Sequence, residues 1–166
     1  KAEEYIMDWE NGICLRLATV FGSSPRMRTD LLVNDFVYKT ITEGCLVLFQ
    51  SKFKRNYIHV RDIAYTFIHC IKNYDKLNGE VFNVGLSDAN LNKMELATKI
   101  RAYFPKLVII ENEFSSDIDN RNYIVSNNKL EATGWKPIYS IEDGINELIS
   151  AYKMIIPNNN KKYTNL

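Results

Sequence analysis

The chain has 166 residues, one domain's worth, enough to hide about two-thirds of its unfolded surface. Its 46% hydrophobic and 25% charged residues are ordinary for a globular domain, which excludes disorder for the bulk of the chain. A net charge of +1 offers no global field for nucleic acid or an anionic membrane, and no run approaches the roughly 20 apolar residues of a membrane span.

Lys1 to Glu10 reads as a helix already under way, with Ala2, Tyr5, Ile6 and Trp9 at helical spacing and no capping residue before it. Asn11-Gly12 stops it. A helix without its start suggests a chain without its start, and no signal peptide is visible. Ile13 to Phe21 (ICLRLATVF) is nearly continuous apolar, like one strand covered on both faces. Gly22-Ser23-Ser24-Pro25 breaks it, and Thr29 or Asp30 caps a helix to Glu43, closed by Gly44. Cys45 to Phe49 and Tyr57 to Val60 read as short strands.

Arg61 to Asn73 is an amphipathic helix with Ile63, Ala64, Phe67, Ile68 and Ile71 on one stripe. Glu80 to Val84 is a strand after the Asn78-Gly79 turn. Asn90 or Asn92 caps a helix to Phe104, and Leu107 to Ile110 is a strand. A short helix starts at Asn127 or Asn128 and stops at Gly134. Ser140, with Asp143 three residues on in an approximate capping box, opens a last helix to about Ile155. Alternating strands and helices predict an α/β domain with parallel pairings. No Gly-rich dinucleotide turn occurs, so this segment alone does not build a cofactor's pyrophosphate site.

Three cysteines, Cys14, Cys45 and Cys70, lack CxxC spacing and sit in apolar surroundings, as reduced thiols of a cytoplasmic protein do. With two distant histidines they give no metal signature. Four stretches carry candidate chemistry. In Arg16 to Gly22, a strand runs into a glycine turn at the carboxyl edge of a parallel sheet, where open α/β folds bind ligands. Thr19 brings a hydroxyl there; Arg26 and Arg28 bring charge or form a solvated loop. Arg16 is a strand-edge charge with a structural partner. Asn34, near a helix start, is a directed amide donor or a surface polar residue. In Lys54 to Ala64, Arg55 offers fork geometry suited to a diphosphate, and Asp62 suits the first turn of a helix. His59 lies between Ile58 and Val60, which favours a buried, hydrogen-bonded ring over a general base. In Asp119 to Tyr123, Arg121 either completes a diphosphate clamp with Arg55 or forms a loop salt bridge.

In order, RLATVFG, RNYIHVRDIA, GEVFNVG and DNRNYIVSNNKLEATGWKP resemble four blocks of the extended short-chain dehydrogenase/reductase superfamily, in its sugar-nucleotide epimerase/dehydratase branch. Thr19 stands where that family usually has Asn. The resemblance implies the carboxyl-terminal portion of a Rossmann-like doubly wound fold, its last parallel strands joined to a small mixed α/β substrate-binding domain. Residues 1–156 would be this part and 157–166 a flexible tail, with the dinucleotide-binding half absent. It implies that Arg55 and Arg121 contact a nucleotide diphosphate. It implies that Thr19 and Asn34 contact sugar or phosphate, that Ala18 and Thr19 lie near NAD or NADP, and that His59 and Asp62 are structural. The family's catalytic Tyr-x-x-x-Lys has no counterpart here. The expected activity is that of half an NAD(P)-dependent nucleotide-sugar epimerase/dehydratase in the cytoplasm. Its partner is a nucleotide-sugar substrate, with a homodimer as the family pattern and neither nucleic acid nor membrane. The alternative is a non-catalytic nucleotide-binding module of the same fold.

Overall fold

The computed structural model describes residues 2–8, 12–112 and 122–155. Trp9, Glu10, the Asn11 stop, Arg121 and the tail expected at 157–166 lie outside the described residues. In chain order the elements are α1 (Ala2–Met7), β1 (Cys14–Leu17), β2 (Thr19–Phe21), α2 (Leu32–Thr42), β3 (Cys45–Phe49), β4 (Lys54–His59) and α3 (Val60–Lys72). There follow α4 (Tyr74–Leu77), β5 (Val81–Val84), β6 (Asn90–Asn92), α5 (Lys93–Arg101), β7 (Val108–Asn112), α6 (Asn128–Glu131) and α7 (Ile141–Ile155).

The strands form three small sheets: β1–β5 parallel, β3–β7 parallel, and β2–β4–β6 with β4 parallel to β2 and antiparallel to β6. The architecture is mixed α/β with parallel pairings, as the alternation of elements predicts. One core links them, built on Phe21, Val37, Leu46, Ile58, Ile100 and Leu148, with α7 lying against α2 and β4.

Several elements form for reasons legible in the residues. β3 begins after Gly44, whose φ of +67° is left-handed and closes α2. Asn92 caps α5 in a reciprocal box: its side chain accepts from Glu95 N–H while the Glu95 carboxylate accepts from Asn92 N–H. Ser140 and Asp143 exchange the same pair of bonds ahead of α7, so aspartate closes that box as glutamate would.

Three expectations are corrected, and one helix face turns an unexpected way. The run from Ile13 to Phe21 is not one strand. It changes partner at Ala18, whose N–H bonds Val84 O; β1 runs beside β5 and β2 beside β4. The cap of α2 is not Thr29 or Asp30, since Leu31 stands at that position without a side-chain bond and Asp30 is held by Arg28. Asn90 is a strand residue of β6, and α5 ends at Arg101. Most of the apolar stripe of α3 faces away from the described core: Ile63 packs partly against it, but Phe67, Ile68 and Ile71 point outward, Ile71 at 73% exposed. Asp62, Thr66 and Cys70 are buried instead.

Asp62 explains that orientation. Its carboxylate accepts the backbone N–H groups of Ile138 (2.9 Å) and Tyr139 (3.1 Å), which ties the approach to α7 onto the start of α3. Two part-buried donors therefore depend on one buried carboxylate. Asp62→Asn places an amide NH₂ against one of them and is expected to cost about 1–3 kcal/mol in urea denaturation. An unchanged midpoint would remove this role.

Candidate functional site

The candidate residues lie along β1, β2 and β4, with Arg55 near the start of β4 and Gly22 and His59 where β2 and β4 end. Ala18 sits at the switch between β1 and β2, and Thr19 is in register with Tyr57 of β4. Gly22 follows with φ +110°, and a Cβ there would lie 2.6 Å from His59 Nε2, so only glycine fits this turn.

Asn34 is buried at the foot of the turn. Its Nδ2 donates to Gly22 O (3.1 Å) and Arg28 O (2.9 Å), and its Oδ1 accepts Gly22 N–H (3.1 Å). Both amide hydrogens are used within the chain, so in this arrangement Asn34 shapes the turn and offers no free donor. Arg28 is gripped by Asp30 through Nε (2.8 Å) and a terminal nitrogen (2.5 Å), which raises its basicity and lowers that of Asp30. Arg26 is exposed in the loop. Arg16 makes a similar fork with Glu3 of α1, so it braces α1 against β1.

Arg55 differs from these surface arginines. It lies on the middle strand of its sheet, opposite Leu91 of β6, and is only 4% exposed. Beside it, the described segment that follows position 121 is strapped to the sheet. Asn122 Oδ1 accepts Lys54 N–H (2.9 Å), and Tyr123 N–H donates to Lys54 O (3.1 Å). Further along, the Asn90 amide both donates to Val125 O (3.1 Å) and accepts Val125 N–H (2.9 Å), as a paired strand would. Asn83 donates to Ser126 O (3.2 Å). The described segment that begins at Asn122 thus lies against Lys54, the neighbour of Arg55. The Tyr57 hydroxyl, buried between Arg55 and His59 on the same strand face, has no hydrogen-bond partner among the described residues. Burial pushes its ionisation far above the usual phenol range.

His59 ends β4, fully buried, and caps α3 by accepting Arg61 N–H at Nδ1 (3.3 Å). Its ring stacks on Tyr139 (centroids 4.5 Å apart, 29°) and meets Phe21 edge-on (5.3 Å). Burial holds its basicity below the usual imidazole range. Glu147 of α7 stands over it. Oε1 accepts both Ser23 N–H (2.8 Å) and the Ser23 hydroxyl, and Oε2 pairs with Arg61 (3.1 Å). Burial alone would raise the Glu147 carboxyl. The Ser23 bonds and the nearby His59 and Arg61 outweigh it and hold the group below its usual value.

Sequence reasoning missed Glu147 and Tyr139, and gave Asn90 and Asn122 no part in strapping the segment after position 121 to the sheet. Glu147 meets Ser23 across 124 positions, and no local pattern marks such a pair. Among the described residues no group of three or more His, Cys, Asp or Glu side chains is placed to hold a metal ion, and no helix is long and apolar enough to cross a membrane.

Comparison with known proteins bears on the fold and the family. The chain is similar in fold to dTDP-glucose 4,6-dehydratase from Bacillus anthracis, solved in complex with NAD. Identity is 20% and TM-score 0.77, over 95% of this chain and 51% of that one. It is similar to UDP-glucose 4-epimerase from Thermotoga maritima, solved with UDP-glucose, with 20% identity and TM-score 0.77 over 93% and 51%. RMD from Pseudomonas aeruginosa, complexed with NADPH, matches at 17% identity and TM-score 0.72 over 92% and 53%. The chain spans about half the length of these structures. Residues 2–85, which include Thr19, Arg55, His59 and Asp62, match the family model described as the NAD dependent epimerase/dehydratase family. That match covers just over half of the chain, and the protein belongs to this family.

Proposed function

We propose that this chain is the substrate-gripping half of an NAD(P)-dependent nucleotide-sugar epimerase or dehydratase, which acts by transient hydride transfer at a sugar carbon. The observation that carries this reading is the anchoring of the segment after Arg121 at Lys54, next to the buried Arg55. Two guanidinium groups far apart in sequence would then address one diphosphate, each with a planar fork of donors. Gripping the remote nucleotide fixes the sugar for reaction, using binding energy away from the reacting carbon.

The chain's own residues do not fit the dinucleotide. It has no glycine-rich turn at a helix amino terminus to cradle a pyrophosphate and no Tyr-x-x-x-Lys pair. At most Ala18 and Thr19, at the exit of β1, would border the cofactor. No catalytic step is therefore assigned to these residues. In a longer protein the outward stripe of α3 and the edge of β1 that is unpaired among the described residues would meet a dinucleotide-binding half. The three free cysteines accord with a cytoplasmic setting.

The reading is tested by titrating the chain with UDP and dTDP and, separately, with UMP and inorganic phosphate. Saturable binding of a nucleoside diphosphate tighter than about 1 mM is expected, with weaker binding of the monophosphate. No NAD(P)H should form or disappear when either cofactor and UDP-glucose are added. Equal affinity for mono- and diphosphates, or no binding at all, contradicts a diphosphate clamp.

A further inference from the structure

We propose that His59 is a proton-operated latch: while neutral it holds the turn after β2 in place, and on gaining a second proton it lets that turn go. This inference concerns the folded chain itself and is independent of the ligand that the site binds.

One ring nitrogen of His59 is already committed to the backbone. Nδ1 accepts Arg61 N–H, so the neutral ring carries its proton on Nε2, which points toward Glu147 Oε1 at 3.5 Å. A second proton must go to Nδ1. There it faces the Arg61 N–H, donor against donor, at the positive end of the 13-residue helix α3. The cap of α3 is lost at that moment. The ring cannot turn away. Gly22 and Gly144 press on it so closely that a Cβ at either would come within 3.2 Å, while Phe21 and Tyr139 enclose it.

The charged groups facing the ring decide the direction. From α7 come Glu147 and Asp143, and from α3 come Asp62 and Arg61. The stretch before α7 contributes Tyr139, and β2 with its turn contributes Phe21 and Gly22, which do not titrate. The acids favour the charged ring; burial and Arg61 oppose it, and the balance keeps the ring neutral. Glu147 is the one acid close enough to compensate. Its Oε1 already accepts both Ser23 donors, and its Oε2 holds Arg61. Turning toward an imidazolium means releasing Ser23. A ring held neutral in the fold contributes stability that is complete above about pH 6.5 and is lost as pH falls below it. The strain falls on the turn at Gly22–Ser24, directly after Thr19–Phe21, so acidification reshapes the carboxyl edge of β2.

The test follows the ring-proton signals of His59 and His69 by NMR from pH 8 to 5, with amide exchange measured on the same samples. The His59 signal is assigned by its absence in His59→Asn, which keeps an oxygen acceptor for Arg61 N–H but cannot titrate. In the unaltered chain His59 should titrate below pH 6.5. As it does, protection of the Ser23 and Arg61 amides should fall at least tenfold, while Leu46 and Ile109 in the β3–β7 sheet keep theirs. In His59→Asn, Ser23 protection should not change over this range. The proposal is overturned if Ser23 protection survives protonation, if the whole chain loses protection together, or if the variant keeps the same pH dependence. Should the variant fail to fold, the measurements on the unaltered chain decide.

Discussion

Gly85→Ala is expected to destabilise the chain by about 3 kcal/mol or more, read as a fall in the urea midpoint with an unchanged slope. A Cβ at this position would lie 1.6 Å from Asn56 Oδ1 and 3.1 Å from Asn127 Oδ1. Neither side chain can give way. Asn56 is fully buried and donates from Nδ2 to Leu86 O at 2.7 Å, and Asn127 Nδ2 reaches Asn56 Oδ1 at 3.4 Å. The next residue donates Leu86 N–H to Tyr57 O at 2.8 Å, the bond that stitches the exit of β5 to β4. The added methyl therefore has to break either the stitch or the buried amide pair, and each choice orphans polar groups in the interior. Gly85 is not among the left-handed glycines, so the cost is steric and should be relieved in part by removing the obstacle. In a double-mutant cycle, Gly85→Ala with Asn56→Ala should lose less than the sum of the two single changes. A loss below about 1 kcal/mol for Gly85→Ala, or simple additivity in the cycle, contradicts this account.

Where the fold was legible in the sequence, the signal was local. Gly44 followed by a continuous apolar run, Cys-Leu-Val-Leu-Phe, gives β3 its bounds, Cys45–Phe49. Ser140 with Asp143 marks one helix start because cap and partner lie three residues apart, and Asn92 was one of two caps open for α5 until its box with Glu95 was seen. Where the fold was not legible, the deciding contact was distant. Nothing in ICLRLATVF marks Ala18 as the point where the strand leaves β5 for β4, because both partners are later segments. The stripe on α3 was correctly placed on one face. Which way that face turns depends on Asp62 meeting Ile138 and Tyr139, some 76 and 77 positions away.

The candidate site divides in the same way. The types and order of Thr19, Arg55, His59 and Asp62 could be read from the sequence. The employment of each side chain could not. Asn34 looks like a donor waiting for a ligand until its three bonds to Gly22 and Arg28 are seen. Arg26, Arg28 and Arg55 are alike as letters. Burial separates Arg55 from the other two, and Asp30 occupies Arg28.

The second large effect concerns that buried arginine. Arg55→Ala is expected to weaken binding of UDP or dTDP by about 2 kcal/mol, close to thirtyfold, because the proposed charge-assisted forked contact in a desolvated site would be removed. Arg55→Lys should recover only part of the loss, since an ammonium keeps the charge without the planar fork. Some of the guanidinium's stem is packed, so the alanine change will also lower stability. Urea denaturation of both variants, without ligand, separates that effect from affinity.

The most direct test of the central claim is calorimetric titration of a nucleoside diphosphate into folded wild type, Arg55→Ala and Arg55→Lys. The account predicts saturable binding to wild type, a loss of about thirtyfold in the alanine variant and an intermediate affinity for lysine. Equal affinity in all three folded proteins would contradict it.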